Sequence, residues 1–308
     1  MRILIVGMGS IGQRHAACLQ KMNNVEIAVL RTSKGTLKEK SGFTEFFNLD
    51  GALAYKPDGV VIANPTSLHV ETALPFLQRG IKTLIEKPIA HSQADAEKLA
   101  AFSEHILVAY CVRFLPLVNV IKEIVDEEKV YKISFKRSYY LPKWHPYADY
   151  RTEYTAKKEL GGGVIRTLSH EIDLMLYLFG EPLSTVGVTD KISPLEIDTD
   201  DFAFFSCKTI SGARINFELD FFSPKNVNSA EMFTEKGKYT WDMSELLFTP
   251  YNETAPARLY GAELFNIEKM YSNQMEDFIA FVNGSKSKNA TFHSAKAVLK
   301  IIEQVNAG

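Results

Sequence analysis

The sequence predicts an α/β protein: a Rossmann-type N-terminal domain followed by an α+β domain with an open, mostly antiparallel sheet. Three observations carry this. Short apolar strands alternate with helical patterns through the first third, a glycine-rich turn follows the first strand, and beyond Arg113 strands cluster between helices.

Arg2 to Val6 reads as an apolar strand, Ile11 to Gln20 as a helix, and Val25 to Leu30 as a second strand. Asp58 to Ala63, Lys82 to Ile85 and His105 to Ala109 continue the strand series, with helices expected at His69 to Gln78 and Gln93 to Ser103. Parallel strands need such helical crossovers, and a sheet covered on both faces gives runs as apolar as these. The texture then changes. Leu115 to Glu127 is helical and Val130 to Tyr140 reads as a long strand; the glycines Gly161 to Gly163 precede a helix at Leu168 to Phe179. Strands are expected at Val186 to Thr189, Phe202 to Lys208, Ala213 to Phe221 and Ala230 to Thr234, with another beginning at Gly237 to Trp241. Two helices, Ala262 to Asn283 and Ser294 to Gln304, close the chain. The expected division is a first domain over 1–114 and a second over 115–308.

Composition narrows the class. The chain has 308 residues, 46% hydrophobic and 23% charged, as in soluble globular proteins. Its 35 Lys and Arg face 37 Asp and Glu, so no basic excess points to nucleic acid or an anionic membrane. No apolar run is long enough to span a bilayer, and the N-terminus MRILIVGMGS lacks the pattern of an export signal. Cys18, Cys111 and Cys207 are too dispersed for a disulfide framework, so a cytoplasmic location is expected. The histidines form no H-x-x-x-H pair or Cys/His cluster, so no metal is expected, and no G-x-S-x-G elbow is present.

The chemistry lies in a few short stretches. ILIVGMGSIGQRH places Gly7, Gly9 and Gly12 between a strand and a helix that opens with Ser10 and Ile11. The glycines serve a tight turn, close approach of pyrophosphate and helix packing, while helix-start amides bind phosphate. A dinucleotide is the expected cofactor. The second strand, EIAVLRTSK, ends without the carboxylate that holds the ribose hydroxyls of NAD and offers Arg31, Thr32, Ser33 and Lys34 instead. A guanidinium suits a 2'-phosphate, so the sequence favours NADP over NAD. Asn64 and Pro65 end the next strand, where open parallel sheets bind ligands; Thr66 or Ser67 can cap the helix carrying His69. LIEKPIA then sets Glu86 and Lys87 where an apolar strand ends.

Taken together, GMGSIG, ANPTSLH, IEKP and the later GGG with SHEID resemble the glucose-fructose oxidoreductase and inositol dehydrogenase family. The resemblance spans both expected domains. It implies a first domain that binds NAD or NADP and a second whose open sheet helps form the substrate cleft and often an oligomer interface. By the same resemblance Lys87 lies beside nicotinamide and substrate, Glu86 contacts the cofactor, and Pro88 marks a strand exit with a cis peptide. Asn64, Pro65, His69 and Arg113 join the expected cofactor contacts. Redox chemistry at a sugar or nucleotide-linked sugar follows, in the manner of surface-polysaccharide enzymes, with a homodimer or homotetramer as the expected assembly. A nonenzymatic dinucleotide-binding sensor or scaffold, or a lyase or epimerase that recycles its cofactor, is the alternative.

The second catalytic piece is expected in GGGVIRTLSHEID, where His170 suits proton exchange near neutrality. Here the chain departs from the family pattern. The family has an aspartate four positions before this histidine, and this chain has Arg166 there. Alignment on the glycines instead sets Thr167 opposite that aspartate and Glu171 opposite the histidine. Thr167 can hydrogen-bond substrate but is no base, and Arg166 suits an anionic group. Asp173 lies one helical turn beyond His170 and can orient its ring. Upstream, Trp144, His145, Tyr147, Tyr150, Arg151 and Tyr154 form an aromatic insertion, in which Tyr150 and Arg151 are the expected substrate contacts.

Overall fold

The computed structural model describes residues 1–31, 42–144, 148–245, 247–251 and 262–306. The chain opens with β1 (Arg2–Val6), α1 (Ser10–Gln20), β2 (Glu26–Leu30), β3 (Thr44–Phe46), α2 (Leu49–Ala54) and β4 (Gly59–Ile62). It continues through α3 (His69–Leu77), β5 (Lys82–Ile85), α4 (Gln93–Glu97) and β6 (Ile106–Val108). Next come α5 (Pro116–Glu127), β7 (Val130–Ser138), α6 (Leu141–Trp144), α7 (Val164–Thr167) and α8 (His170–Phe179). Six strands follow: β8 (Ser184–Asp190), β9 (Phe202–Lys208), β10 (Arg214–Asp220), β11 (Val227–Thr234), β12 (Lys238–Asp242) and β13 (Leu247–Tyr251). The described chain closes with α9 (Ile267–Val282), β14 (Ala290–Thr291) and α10 (Phe292–Asn306).

Two compact units result. Met1–Phe114 with Glu268–Lys296 forms the first, and Leu115–Ile267 with Ala297–Gly308 the second. Residues Glu268–Lys296 thus group with the first unit rather than with 115–267. The reason is packing: β14 adds an antiparallel strand to β6, and α9 brings Met275 and Phe278 into the first unit's core. Gly59 makes room for that helix, because a Cβ there would stand 2.8 Å from Val282 Cγ2.

The first unit's sheet runs β14-β6-β5-β4-β1-β2-β3, with every pair parallel except β14 with β6. Ile3, Ile5, Ile27, Val29, Val61 and Leu84 share one face and pack on Ala16 and Leu19 of α1. Each such side chain, fully buried, contributes roughly 1.5–3 kcal/mol. Because β1 lies between β2 and β4, the chain winds outward from β1 in both directions. The carboxyl ends of these strands form the crevice where doubly wound sheets bind ligands.

The second unit's sheet runs β13-β12-β11-β7-β10-β9-β8, antiparallel throughout except where β10 meets β7. Period-two alternation sends Ala203, Phe205 and Cys207 of β9 inward and leaves Phe204 at the surface. Phe217 sits between Phe135 and Phe205, with ring centroids 5.4 Å and 4.3 Å away, and centres the core of this sheet. All three cysteines are buried and none is in a disulfide. Among the described residues no helix is long and apolar enough to cross a membrane.

Several boundaries differ from the sequence expectation. The helix expected over Gln93 to Ser103 splits into α4 and a 3-10 segment, Ala100–His105. The helix expected from Ala262 starts as a 3-10 turn, Ala262–Phe265, before α9. Short β3, α2 and β14 carry too few apolar residues to show a period.

Candidate active site

The glycine turn follows from three different steric demands. Gly7 has φ 95°, and a Cβ there would lie 2.6 Å from Ala63 O. A Cβ on Gly12 would lie 2.1 Å from Gly7 O, so α1 can begin this close to β1 only without one. Gly9 is different: nothing stands within 4 Å of its Cβ position. Gly9 is the N-cap of α1, and the first ladder bond runs from Gln13 N–H to Gly9 O at 3.0 Å. The amides of Ser10, Ile11 and Gly12 precede that ladder and face the open side. This cradle fits a pyrophosphate.

Behind the cradle, the turn after β4 is braced by His69. Its ring is 1% exposed and lies between two backbone carbonyls, with Nδ1 2.9 Å from Pro88 O and Nε2 2.9 Å from Asn64 O. Burial holds the imidazolium below its usual range, although both carbonyls pull the other way. Both ring nitrogens face backbone carbonyls, so in its neutral form the ring donates to one of them and packs against the other. Asn64 Nδ2 donates to Thr72 Oγ1 at 2.8 Å, which fixes the same turn on α3. Pro65 is exposed at its tip. Thr66 and Ser67 form a 3-10 turn with Leu68 and do not cap α3 through their side chains. Arg113 is 6% exposed, with Nη2 donating to Ser294 Oγ at 2.7 Å, so its guanidinium helps anchor the start of α10.

Glu86 still belongs to the sheet, since its amide donates to Ile62 O at 2.9 Å, whereas Lys87 has turned out of it. The Lys87–Pro88 peptide is cis. The Glu86 carboxylate joins two segments: Oε1 lies 2.7 Å from His15 Nε2, and Oε2 accepts from the Lys87 amide at 3.1 Å. His15 is fully buried on α1, three residues past Gly12. Tyr271 of α9 stands edge-on to its ring at 6.4 Å, and the Arg14 guanidinium lies 4.8 Å from the Tyr271 ring centroid. Burial, with Cys111 and Glu86 nearby, pushes the Tyr271 phenol up. The helix of the phosphate cradle and the turn carrying Lys87 thus share one buried polar contact.

At the end of β2, Arg31 N–H donates to Phe46 O at 3.0 Å and Arg31 Nη1 donates to Glu45 Oε1 at 3.2 Å. A carboxylate therefore does stand at this position, supplied by the neighbouring strand. Thr32, Ser33 and Lys34, like His145 and Tyr147, lie outside the described residues.

In the second unit Gly162 and Gly163 make room for the chain itself. A Cβ on Gly162 would lie 2.4 Å from Tyr154 O, and one on Gly163 2.2 Å from Asp200 Oδ1. The chain thus approaches neighbouring backbone and Asp200 closely at this turn. Asp200 Oδ2 accepts from Ile165 N–H at 3.1 Å at the start of α7; burial raises its pKa, against the pull of that amide and of Arg166. Thr167 is 3% exposed, Arg166 is half-buried, and His170 begins α8. Glu171 hydrogen-bonds Arg137 Nη1, and Arg137 Nη2 donates to Tyr139 Oη at 3.2 Å. Burial would lower the Arg137 pKa, but Glu171 and Tyr139 push it up, so the guanidinium stays charged. Arg151 is bound by Asp149 at 2.8 Å and Glu196 at 3.0 Å, and the Glu196 amide donates to Tyr150 Oη at 3.2 Å. Two carboxylates of the chain thus pair with the half-exposed Arg151 guanidinium. Sequence reasoning missed Asp200 and Arg137; both meet this segment only through the fold.

Comparison with known proteins agrees with this geometry. The pattern of the oxidoreductase family with an NAD-binding Rossmann fold matches residues 1–113, and that of the GFO/IDH/MocA C-terminal domain matches residues 118–240. The chain belongs to this family of oxidoreductases. The rhizopine catabolism protein MocA of Rhizobium meliloti is 25% identical, over 98% of this chain and 93% of its own. Glucose-6-phosphate 3-dehydrogenase of Bacillus subtilis is 26% identical over 62% of this chain and 57% of its own. Among solved structures, the WlbA dehydrogenase of Bordetella pertussis, in complex with NADH and UDP-GlcNAcA, superposes with a TM-score of 0.83 at 17% identity. That match covers 99% of this chain and 94% of WlbA. Levoglucosan dehydrogenase, in complex with NADH, superposes with a TM-score of 0.85 at 17% identity, covering 99% of this chain and 95% of its own. These structural likenesses establish the fold.

The two glycines predict opposite behaviour. Gly9→Ala should leave the thermal midpoint unchanged while weakening dinucleotide binding, because its Cβ enters the cradle. Gly12→Ala should cost more than about 2 kcal/mol of stability by forcing backbone apart. Thermal unfolding with NAD titration of both variants checks this; equal destabilisation would contradict the steric assignment.

Proposed function

We propose that the protein oxidises or reduces a hydroxyl or keto carbon of a sugar or nucleotide-linked sugar, with NAD or NADP as cofactor, in the building of a surface polysaccharide. The observation that carries this reading is the Glu86–Lys87 turn at the carboxyl edge of the first sheet, tied through His15 to the helix of the phosphate cradle. The names of the relatives, among them a sugar-phosphate dehydrogenase and an inositol dehydrogenase, support the substrate class.

Bound in this cradle, the nicotinamide cofactor supplies hydride exchange with carbon. The residues of the chain then manage the proton and the charge on oxygen. Lys87, as an ammonium, donates a hydrogen bond to developing alkoxide, and its neutral form accepts the alcohol proton. Glu86 orients the turn rather than acting as the acid, since both its oxygens are engaged. From the second unit we assign proton exchange to His170 and substrate binding to Tyr150, Thr167 and Arg166. Arg166 suits the anionic part of a nucleotide-linked sugar. Thr167, in the aspartate's place under one alignment, is the observation that keeps the sensor reading as the alternative.

The open sheet of the second unit supports self-association as a homodimer or homotetramer. Val188 and Phe204 are cross-strand neighbours, 49% and 50% exposed, and Val186 beside them is 69% exposed. Contiguous exposed apolar side chains on a sheet face mark an interface.

Two measurements test these assignments. Lys87→Met should lower turnover by roughly 10²-fold or more with nucleotide affinity preserved, as loss of a proton-exchanging group does. It is to be assayed on the sugar nucleotide that a substrate screen identifies, and unchanged turnover would remove Lys87 from the chemical step. For the assembly, sedimentation should give a dimer or tetramer that Phe204→Asp shifts toward monomer while circular dichroism is unchanged. A wild-type monomer would refute it.

A further inference from the structure

The end of β2 carries a feature that its own sequence does not show. Parallel pairing sets Val29 opposite Glu45 and Leu30 opposite Phe46, so β2 and β3 end at the same level. Side chains two residues apart on a strand share a face, which puts Arg31 and Glu45 on the Val29 side. Val29 packs in the cluster formed with Ala16 and Leu19 of α1, so this is the face that carries the phosphate cradle. The cradle is also adjacent along the backbone, since Gly7 N–H donates to Leu30 O at 3.0 Å. In doubly wound folds the adenosine ribose is read at this end of the second strand.

The two side chains meet there as an ion pair, Arg31 Nη1 to Glu45 Oε1 at 3.2 Å, with side chains 10% and 15% exposed. We propose that Glu45 reads the ribose 2' position and makes this a site for NAD rather than NADP. The inference rests on the dinucleotide-binding reading above and deepens it. A carboxylate accepts hydrogen bonds from the 2' and 3' hydroxyls, whereas a 2'-phosphate brings like charge against it. Arg31, the reason for expecting NADP from sequence, is engaged by the carboxylate that a 2'-phosphate would have to displace. With Glu45 in place Arg31 acts as the positioning group, holding the carboxylate by charge while its own amide is tied to Phe46 O. The strand order explains why spacing hides this: the acid sits on the third strand, well beyond the interval at which a second-strand acid is sought.

The test is equilibrium binding of NAD and NADP to the full-length protein and to Glu45→Gln, with circular dichroism to establish folding. Wild type should bind NAD at least roughly tenfold more tightly than NADP. Glu45→Gln keeps shape and removes charge; it should weaken NAD and strengthen NADP, moving the ratio by about tenfold or more. Adding Arg31→Ala to that variant should remove the gain in NADP affinity. A wild-type preference for NADP, or a ratio that Glu45→Gln leaves unchanged while both nucleotides bind, would overturn the inference alone. Folded wild-type protein that binds neither nucleotide would overturn the dinucleotide reading with it.

Discussion

The Glu86 carboxylate is the contact on which the first unit's chemistry depends. One oxygen meets His15 on α1 and the other holds the amide of Lys87, so a single side chain fixes the turn after β5 to the helix that begins at the glycine cradle. His15 is fully buried, and removing its acceptor would leave a buried ring nitrogen unpaired, at about 1–3 kcal/mol. A solvated turn would tolerate Glu86 and Lys87 without any of this. The buried histidine distinguishes a placed lysine from an incidental one.

His69 performs a related task from the other side. It lies between the carbonyls of Asn64 and Pro88, which belong to the turns after β4 and β5. Two buried imidazoles therefore hold the carboxyl edge of the sheet: one grips a side chain, the other two stretches of backbone. Such support lets an exposed edge keep fixed polar geometry without rigid surface loops. In the second unit the arrangement differs. Asp200 secures the start of α7, and Glu171 is paired with Arg137.

The sequence made the alternating fold and the glycine turn legible because both rest on local constraints: apolar period, and Cβ clashes that only glycine avoids. What stayed hidden was long-range. β3 has three residues, none enough to show a period, yet it delivers Glu45 to Arg31. β14 has two residues and α9 reads as an ordinary amphipathic helix, so nothing local announces their return to the first unit. Arg151 was visible by type and neighbours, but its pairing with Asp149 and Glu196 comes partly from a residue far along the chain.

On the proposed function, one dinucleotide engages both the glycine cradle and the turn that Glu86 joins to it. Hydrogen–deuterium exchange of the full chain, with and without saturating NAD, reads both segments at once. Peptides covering residues 7–13 and 84–91 should gain protection together. Protection of the first without the second, or of neither in the folded protein, would contradict it.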